Sequence, residues 1–195
     1  MKRIIFVFVA VLTVWCGRAQ SLSEMPKPFC VYGVDFSQVK ICGAAESSFE
    51  FADAFQRINM LLLSEPEKYN FERFLHSPVA TVDIEPVRQN NATGDYATQF
   101  NREIKIGEAE LQALVNGYEL DATEGTGVIL VALLLDKTQA KAAYDVIFFD
   151  VPTRKLLAVY RMSGKAGGFG LRNYWARSVY EVLKSPIDKK SIGKS

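Results

Sequence analysis

Histidine, cysteine and clustered charge are all scarce in this 195-residue sequence, and each scarcity closes a class of function. The one histidine, His76, has no second at H-x-x-x-H spacing, so a zinc site of the common hydrolase kind lacks its ligands. At the end of an amphipathic segment it reads as a surface or helix-capping residue. No run of like charge is longer than a pair such as Lys189-Lys190. The chain therefore has no cationic footprint for nucleic acid and no patch for an anionic membrane. Phosphate-loop and dinucleotide glycine patterns are missing, as is the G-x-S-x-G nucleophile elbow. Ser37-Gln38-Val39-Lys40 matches S-x-x-K by chance: no S-D-N accompanies it, and Lys137-Thr138 is followed by Gln139 rather than glycine.

What is present begins with a leader. Lys2 and Arg3 supply a positive start, Ile4 to Trp15 is apolar except for Thr13, and Gly17-Arg18-Ala19 offers the small residues a signal peptidase reads. The apolar run falls short of the roughly 20 residues of a membrane span. Residues 1–19 are thus expected to be a signal peptide cleaved after Ala19, delivering the protein to the periplasm or outside the cell. Cys16 follows Trp15, where a lipid-attachment signal needs a small residue, so no lipid anchor is expected. Beyond the leader, 20 basic residues face 22 acidic ones, a formal charge of −2. An oxidising compartment would permit a Cys30–Cys42 bridge. The stretch between them reads as extended, however, and a bridge needs Cα atoms within about 7 Å. Two buried free thiols are the expectation.

The organisation expected is a lead-in over 20–28, one globular domain over 29–187 and a polar tail over 188–195. Phe29 to Cys42 reads as extended, with Tyr32, Val34 and Phe36 on one face and Asp35 and Ser37 on the other. Ser47 and Glu50 have capping-box spacing ahead of a Phe51, Phe55, Ile58, Leu62 stripe. Ser64-Glu65-Pro66-Glu67 predicts a second helix carrying Phe71, Phe74 and Leu75 as far as Pro78. Val79 to Val87 alternates as a strand, and 88–102 reads as an exposed loop. Glu108 to Asn116 predicts a helix with Gly117 as its left-handed cap. Val128 to Leu135 is the apolar run of a strand covered on both faces. Ala142–Asp150 and Lys155–Ser163 predict a hairpin turned at Pro152, and Leu171, Trp175, Val179 and Val182 stripe a last helix. The order β-α-α-β-α-β-β-β-α implies an α/β (α+β) domain, one mixed sheet with antiparallel strands at its C-terminal end and helices packed on it.

Chemistry is sparse along this scaffold. Gly164-Lys165-Ala166-Gly167-Gly168-Phe169-Gly170 joins a strand to a helix; such a turn can bind an anion, with Lys165 and Arg172 adding charge. Its plainer reading is a tight bend returning Phe169 and Trp175 to the sheet. Asp35, Asp83, Glu85 and Asp145 fall on predicted strands, where a converging pair could serve a glycan hydrolase. Solvated strand faces look the same.

The segments Val31-Tyr32-Gly33-Val34-Asp35-Phe36 and Gly164 through Trp175 resemble an uncharacterised family of secreted proteins of Gram-negative gut bacteria. That resemblance implies location more than activity. In element order the chain is also similar to the amino-terminal domain of TolB and to outer-membrane lipoproteins that activate penicillin-binding proteins. This likeness implies a mixed sheet and protein partners without catalysis. The expectation is therefore an exported, non-enzymatic binding or adaptor protein of the cell envelope, needing no cofactor or metal, whose partner is an envelope protein. Its candidate partner surface comprises Gly164, Lys165, Gly167, Gly168, Phe169, Gly170, Arg172, Tyr174 and Trp175. The alternatives are the carboxylate-dependent glycan hydrolase and a small-ligand carrier, the latter requiring an apolar pocket of about 300 Å³ or more.

Overall fold

A computed structural model describes residues 22–184, 186 and 187. The expected signal peptide, with Cys16, and the polar tail lie outside them. Strand β5 (Thr126–Asp136) is the axis of the fold. Along one side it pairs in parallel with β1 (Phe29–Asp35) and then, further on, with β2 (Lys40–Cys42). The sheet extends past these through β3 (Val79–Val82) beside β1 and β4 (Thr98–Gln99) beside β2, both parallel. On its other side β5 pairs antiparallel with β6 (Lys141–Asp150), which pairs in turn with β7 (Leu156–Lys165). The expected mixed α/β sheet with a C-terminal hairpin is what the chain forms.

Alternation along β5 from Val128 to Leu133 divides two cores, before the pairing with β6 shifts between Ala132 and Leu134. Val128, Leu130 and Ala132 face α1 (Ser48–Ser64), α2 (Phe71–Leu75) and α5 (Leu171–Leu183). Ile129, Val131 and Leu133 face the opposite way, toward α3 (Glu85–Asn91) and α4 (Glu108–Asn116). Burial on both faces explains why β5 reads as an unbroken apolar run. Among the described residues no helix is long and apolar enough to cross a membrane.

The capping box at Ser47 and Glu50 forms as its spacing predicts. Elsewhere local signals misled. Ser64 does not start a helix; it ends α1, its hydroxyl donating to the Met60 carbonyl at 3.0 Å. The next helix is capped instead by Asn70, whose Oδ1 accepts the Arg73 N–H at 2.6 Å. Pro86 does not close a strand but sits in the first turn of α3, where its missing N–H costs nothing. The expected strand thus ends at Val82, and the expected loop over 88–102 holds the rest of α3 and the short β4. Gly117 caps α4 at φ −83°, without the left-handed turn. His76 takes that role at the end of α2, at φ 50°.

The largest departure lies within β1. Gly33 adopts φ +90° and the pairing with β5 slips between Val31 and Val34. Tyr32 therefore joins the α4-side core while Val34 and Phe36 join the other, so the three do not share a face. The kink sends Val34's peptide groups to side chains. Asn59 of α1 accepts from its N–H at 2.8 Å and donates to its carbonyl at 2.9 Å, and Asn91 of α3 donates to the same carbonyl at 3.1 Å.

Candidate functional site

The loop between β7 and α5 is the first of two places where the surface is built for contact. It is a rigid turn. The Ala166 N–H donates to the Ala140 carbonyl at 2.8 Å, the Gly167 N–H to Tyr174 at 3.0 Å, and the Tyr174 N–H to Gly170 at 2.9 Å. Gly168 and Gly170 take φ of +114° and +79°, which side chains resist. At the tip Phe169 is 96 % exposed. The expected return of Phe169 to the sheet does not occur. Trp175 alone packs inward, fully buried, with Tyr174 edge-on to it at 4.9 Å. Trp175 is thus a support beneath the loop and leaves the partner-facing set. So does Gly164, buried within β7, where a Cβ would lie 1.9 Å from the Ser178 carbonyl oxygen. What remains outward is Phe169 with the cations Lys165 and Arg172, and with Arg177, whose side chain passes beside Gly167. Arg172 donates both Nε and Nη2 to its neighbour Asn173 at 3.0 and 2.9 Å.

The four acids have other tasks. Asp35 and Asp145 flank Val131 in one row across the sheet, on the face toward α4. Two strand spacings put their backbones about 10 Å apart. Both are fully enclosed. Asp35 accepts from the Tyr118 hydroxyl at 2.6 Å, the Ser37 N–H at 2.7 Å and Asn90 at 3.2 Å. Burial, and then the Asp35 charge, hold the Tyr118 hydroxyl's pKa well above its ordinary value. Asp145 is gripped by Arg161, whose Nε reaches Oδ1 and whose Nη2 donates to Oδ2 at 3.0 Å. Asp83 accepts the Glu85 N–H at 3.0 Å, and Glu85, on α3 rather than a strand, pairs with Arg88 at 2.6 Å. Cys30 and Cys42 are buried free thiols, and burial pushes both up in pKa, with Arg102 partly opposing at Cys42. Such thiols are poor nucleophiles. Among the described residues no three histidine, cysteine or acidic side chains group to hold a metal.

The second place was not foreseen in the sequence. Between α4, the segment 104–106, the amino end of β2 and the C-terminal half of β5 lies a cavity of about 480 Å³. Its walls are Ile104, Ile106, Ala113 and Leu114, with Leu133 of β5 as the floor, and Lys40, Lys105, Gln38 and Glu110 add polar groups. The 104–106 segment is strapped down just before it. Lys40 donates to the Glu103 carbonyl at 2.5 Å, and Arg102 donates to the buried Asp136 at 2.6 Å. The Arg102 guanidinium, outweighing burial and aided by Thr138 and the Gln139 N–H, lowers the Asp136 carboxyl to about 2. No periodicity announces such a cavity, because its walls come from three separate stretches of chain. Set against family models, curated proteins and solved structures, the chain matches none.

Proposed function

We propose that this protein is an exported, non-enzymatic binding module of the cell envelope that engages another envelope protein through the β7–α5 loop. One observation carries the reading: a phenylalanine, 96 % exposed, stands on a turn whose backbone is hydrogen-bonded at both ends. An aromatic held out on a pre-formed loop loses little entropy when a partner covers it, and aromatic and arginine residues dominate interface hot spots. Lys165, Arg172 and Arg177 around Phe169 fit a partner offering an apolar socket with an acidic rim. Export rests on the leader at 1–19, and the near-neutral remainder is consistent with a protein-binding rather than a nucleic-acid-binding role.

The test is a photo-crosslinking residue placed at 169 in cells that export the protein, with Glu119, exposed beyond α4 on the other face, as the control position. A discrete adduct from position 169, absent at 119 and lost with Arg172→Glu while circular dichroism is unchanged, is the expected result. Equal adducts at both positions, or none at 169, would refute the partner surface. Recovery of the chain with its leader uncut from the cytosol would refute export.

A further inference from the structure

We propose that the cavity between α4, the amino end of β2 and the C-terminal half of β5 binds a small amphiphile, an apolar body bearing one carboxylate, whose charge Lys40 receives. This goes beyond the partner reading and is independent of the β7–α5 loop, which lies with the opposite core. At about 480 Å³ the cavity falls within the range of roughly 300–1,000 Å³ typical of small-molecule sites. Five of its lining side chains, Ile104, Ile106, Ala113, Leu114 and Leu133, are apolar, so the body of the occupant is apolar too.

Charge then selects the head group. Glu110 also lines the cavity; its Oε2 accepts the Gly107 N–H at 3.0 Å, which holds it at the α4 cap, and it makes no ion pair with Lys40 among the described residues. Lys105 is compensated by Glu103, 3.3 Å away. Lys40 is different. It spends one N–H on the Glu103 carbonyl and makes no ion pair among the described residues. A half-buried lysine on an apolar cavity, with donors to spare and no ion-pair partner among the described residues, is complemented by a carboxylate, and an occupant that excludes water from the pair strengthens it. Gln38, two residues earlier and also lining the cavity, offers an amide donor beside it. A nucleotide fits poorly: one uncompensated cation and apolar walls supply neither charge nor a backbone cradle for several phosphates.

The probes are decanoate and its neutral isostere decanamide, followed by titration calorimetry and by the carboxyl ¹³C shift of labelled decanoate. Saturable one-to-one binding of decanoate is expected, about tenfold or more tighter than that of decanamide, because the salt bridge is made only by the acid. Lys40→Met keeps the apolar stem and should bring decanoate down to the level of the amide. Ala113→Phe, at an exposed position of α4 where bulk does not disturb the core, should weaken both probes together by filling the space. Phe169→Ser should change neither. No saturable binding at millimolar decanoate, equal affinity for acid and amide, or undiminished affinity in Lys40→Met or Ala113→Phe would each overturn the assignment.

Discussion

Gly164 at the end of β7 and Gly167 and Gly170 in the loop after it should respond to alanine in three different ways, and the order tests how this corner is built. At Gly164 an added Cβ would stand 1.9 Å from the Ser178 carbonyl oxygen and 2.7 Å from its carbonyl carbon. Both are backbone atoms in the middle of α5, so no side chain can swing away. The helix must retreat about 1.1 Å along that line merely to reach a 3.0 Å contact. Trp175, Val179 and Val182 are fully buried on that same helix. A gap of 0.5–1 Å already forfeits a quarter to a half of each dispersion contact. Gly164→Ala should therefore cost about 3 kcal/mol, the upper part of the range for overpacking. At Gly170 nothing lies within 4 Å, but φ is +79°. With ψ at 149° this is a conformation open essentially to glycine alone, so alanine there meets backbone strain of about 2 kcal/mol. At Gly167 the nearest atom is the flexible Arg177 Cδ at 3.4 Å and φ is not in the left-handed region, so alanine should fall within about 0.5 kcal/mol of wild type. Urea denaturation followed by circular dichroism ranks the three through their midpoints. A Gly164→Ala protein as stable as wild type, or less affected than Gly170→Ala, would refute the close approach of α5 to β7.

Two further outcomes follow from buried polar groups. The Asp136 carboxyl sits at about 2 in the folded protein against 3.8 for its ordinary value, so its stabilisation is present above about pH 4 and drains away as pH falls through 2. With Arg102 half exposed and screened, Asp136→Asn should remove about 1–2 kcal/mol at pH 6, and the gap to wild type should shrink between pH 4 and pH 2. A gap constant over that window contradicts the ion pair's role. Asn59→Ala should cost about 3 kcal/mol, because the buried Val34 N–H loses its acceptor and a cavity opens in α1's packing. A loss below about 1 kcal/mol would mean that Val34 finds another partner.

How far the sequence spoke depended on the scale of the signal. Elements defined by long patterns or by a plain turn signal were legible: β5 by its unbroken apolar run, α4 by its stripe, the β6–β7 hairpin by two strand-like stretches joined at Pro152. What failed were single residues with two physical uses. Ser64 can open a helix or bond back inside one, and Pro86 can end a strand or begin a helix; which occurs depends on neighbours distant in sequence. Gly33 is a third case, since one left-handed residue inverts the facing of everything after it, and alternation counted across it gives the wrong side for Val34 and Phe36. At the candidate loop the glycine pattern marked the turn but not the fates of its aromatics. Phe169 and Trp175 look alike in composition, and only the direction in which α5 leaves the loop decides that one is buried and the other is not.

The cavity, invisible in the sequence, has a cause in how α4 is held. The core on the α5 side is large and closes around long helices, whereas α4 has nine residues and buries only Leu111 and Val115. So short a helix is not fixed by apolar area alone. It is tied to the sheet by polar bonds: Gln112 donates to the Arg154 carbonyl at 2.8 Å and accepts the Leu156 N–H of β7 at 3.1 Å, and just past the helix end the Tyr118 hydroxyl donates to Asp35. The segment before it is tied across to the sheet by Lys40 and Arg102. Struts of fixed length hold a helix off a sheet as firmly as they hold it on, and collapse over Leu133 would break them. An apolar hollow kept open by satisfied polar bonds is stable without an occupant, and that stability is what a reversible binding site requires.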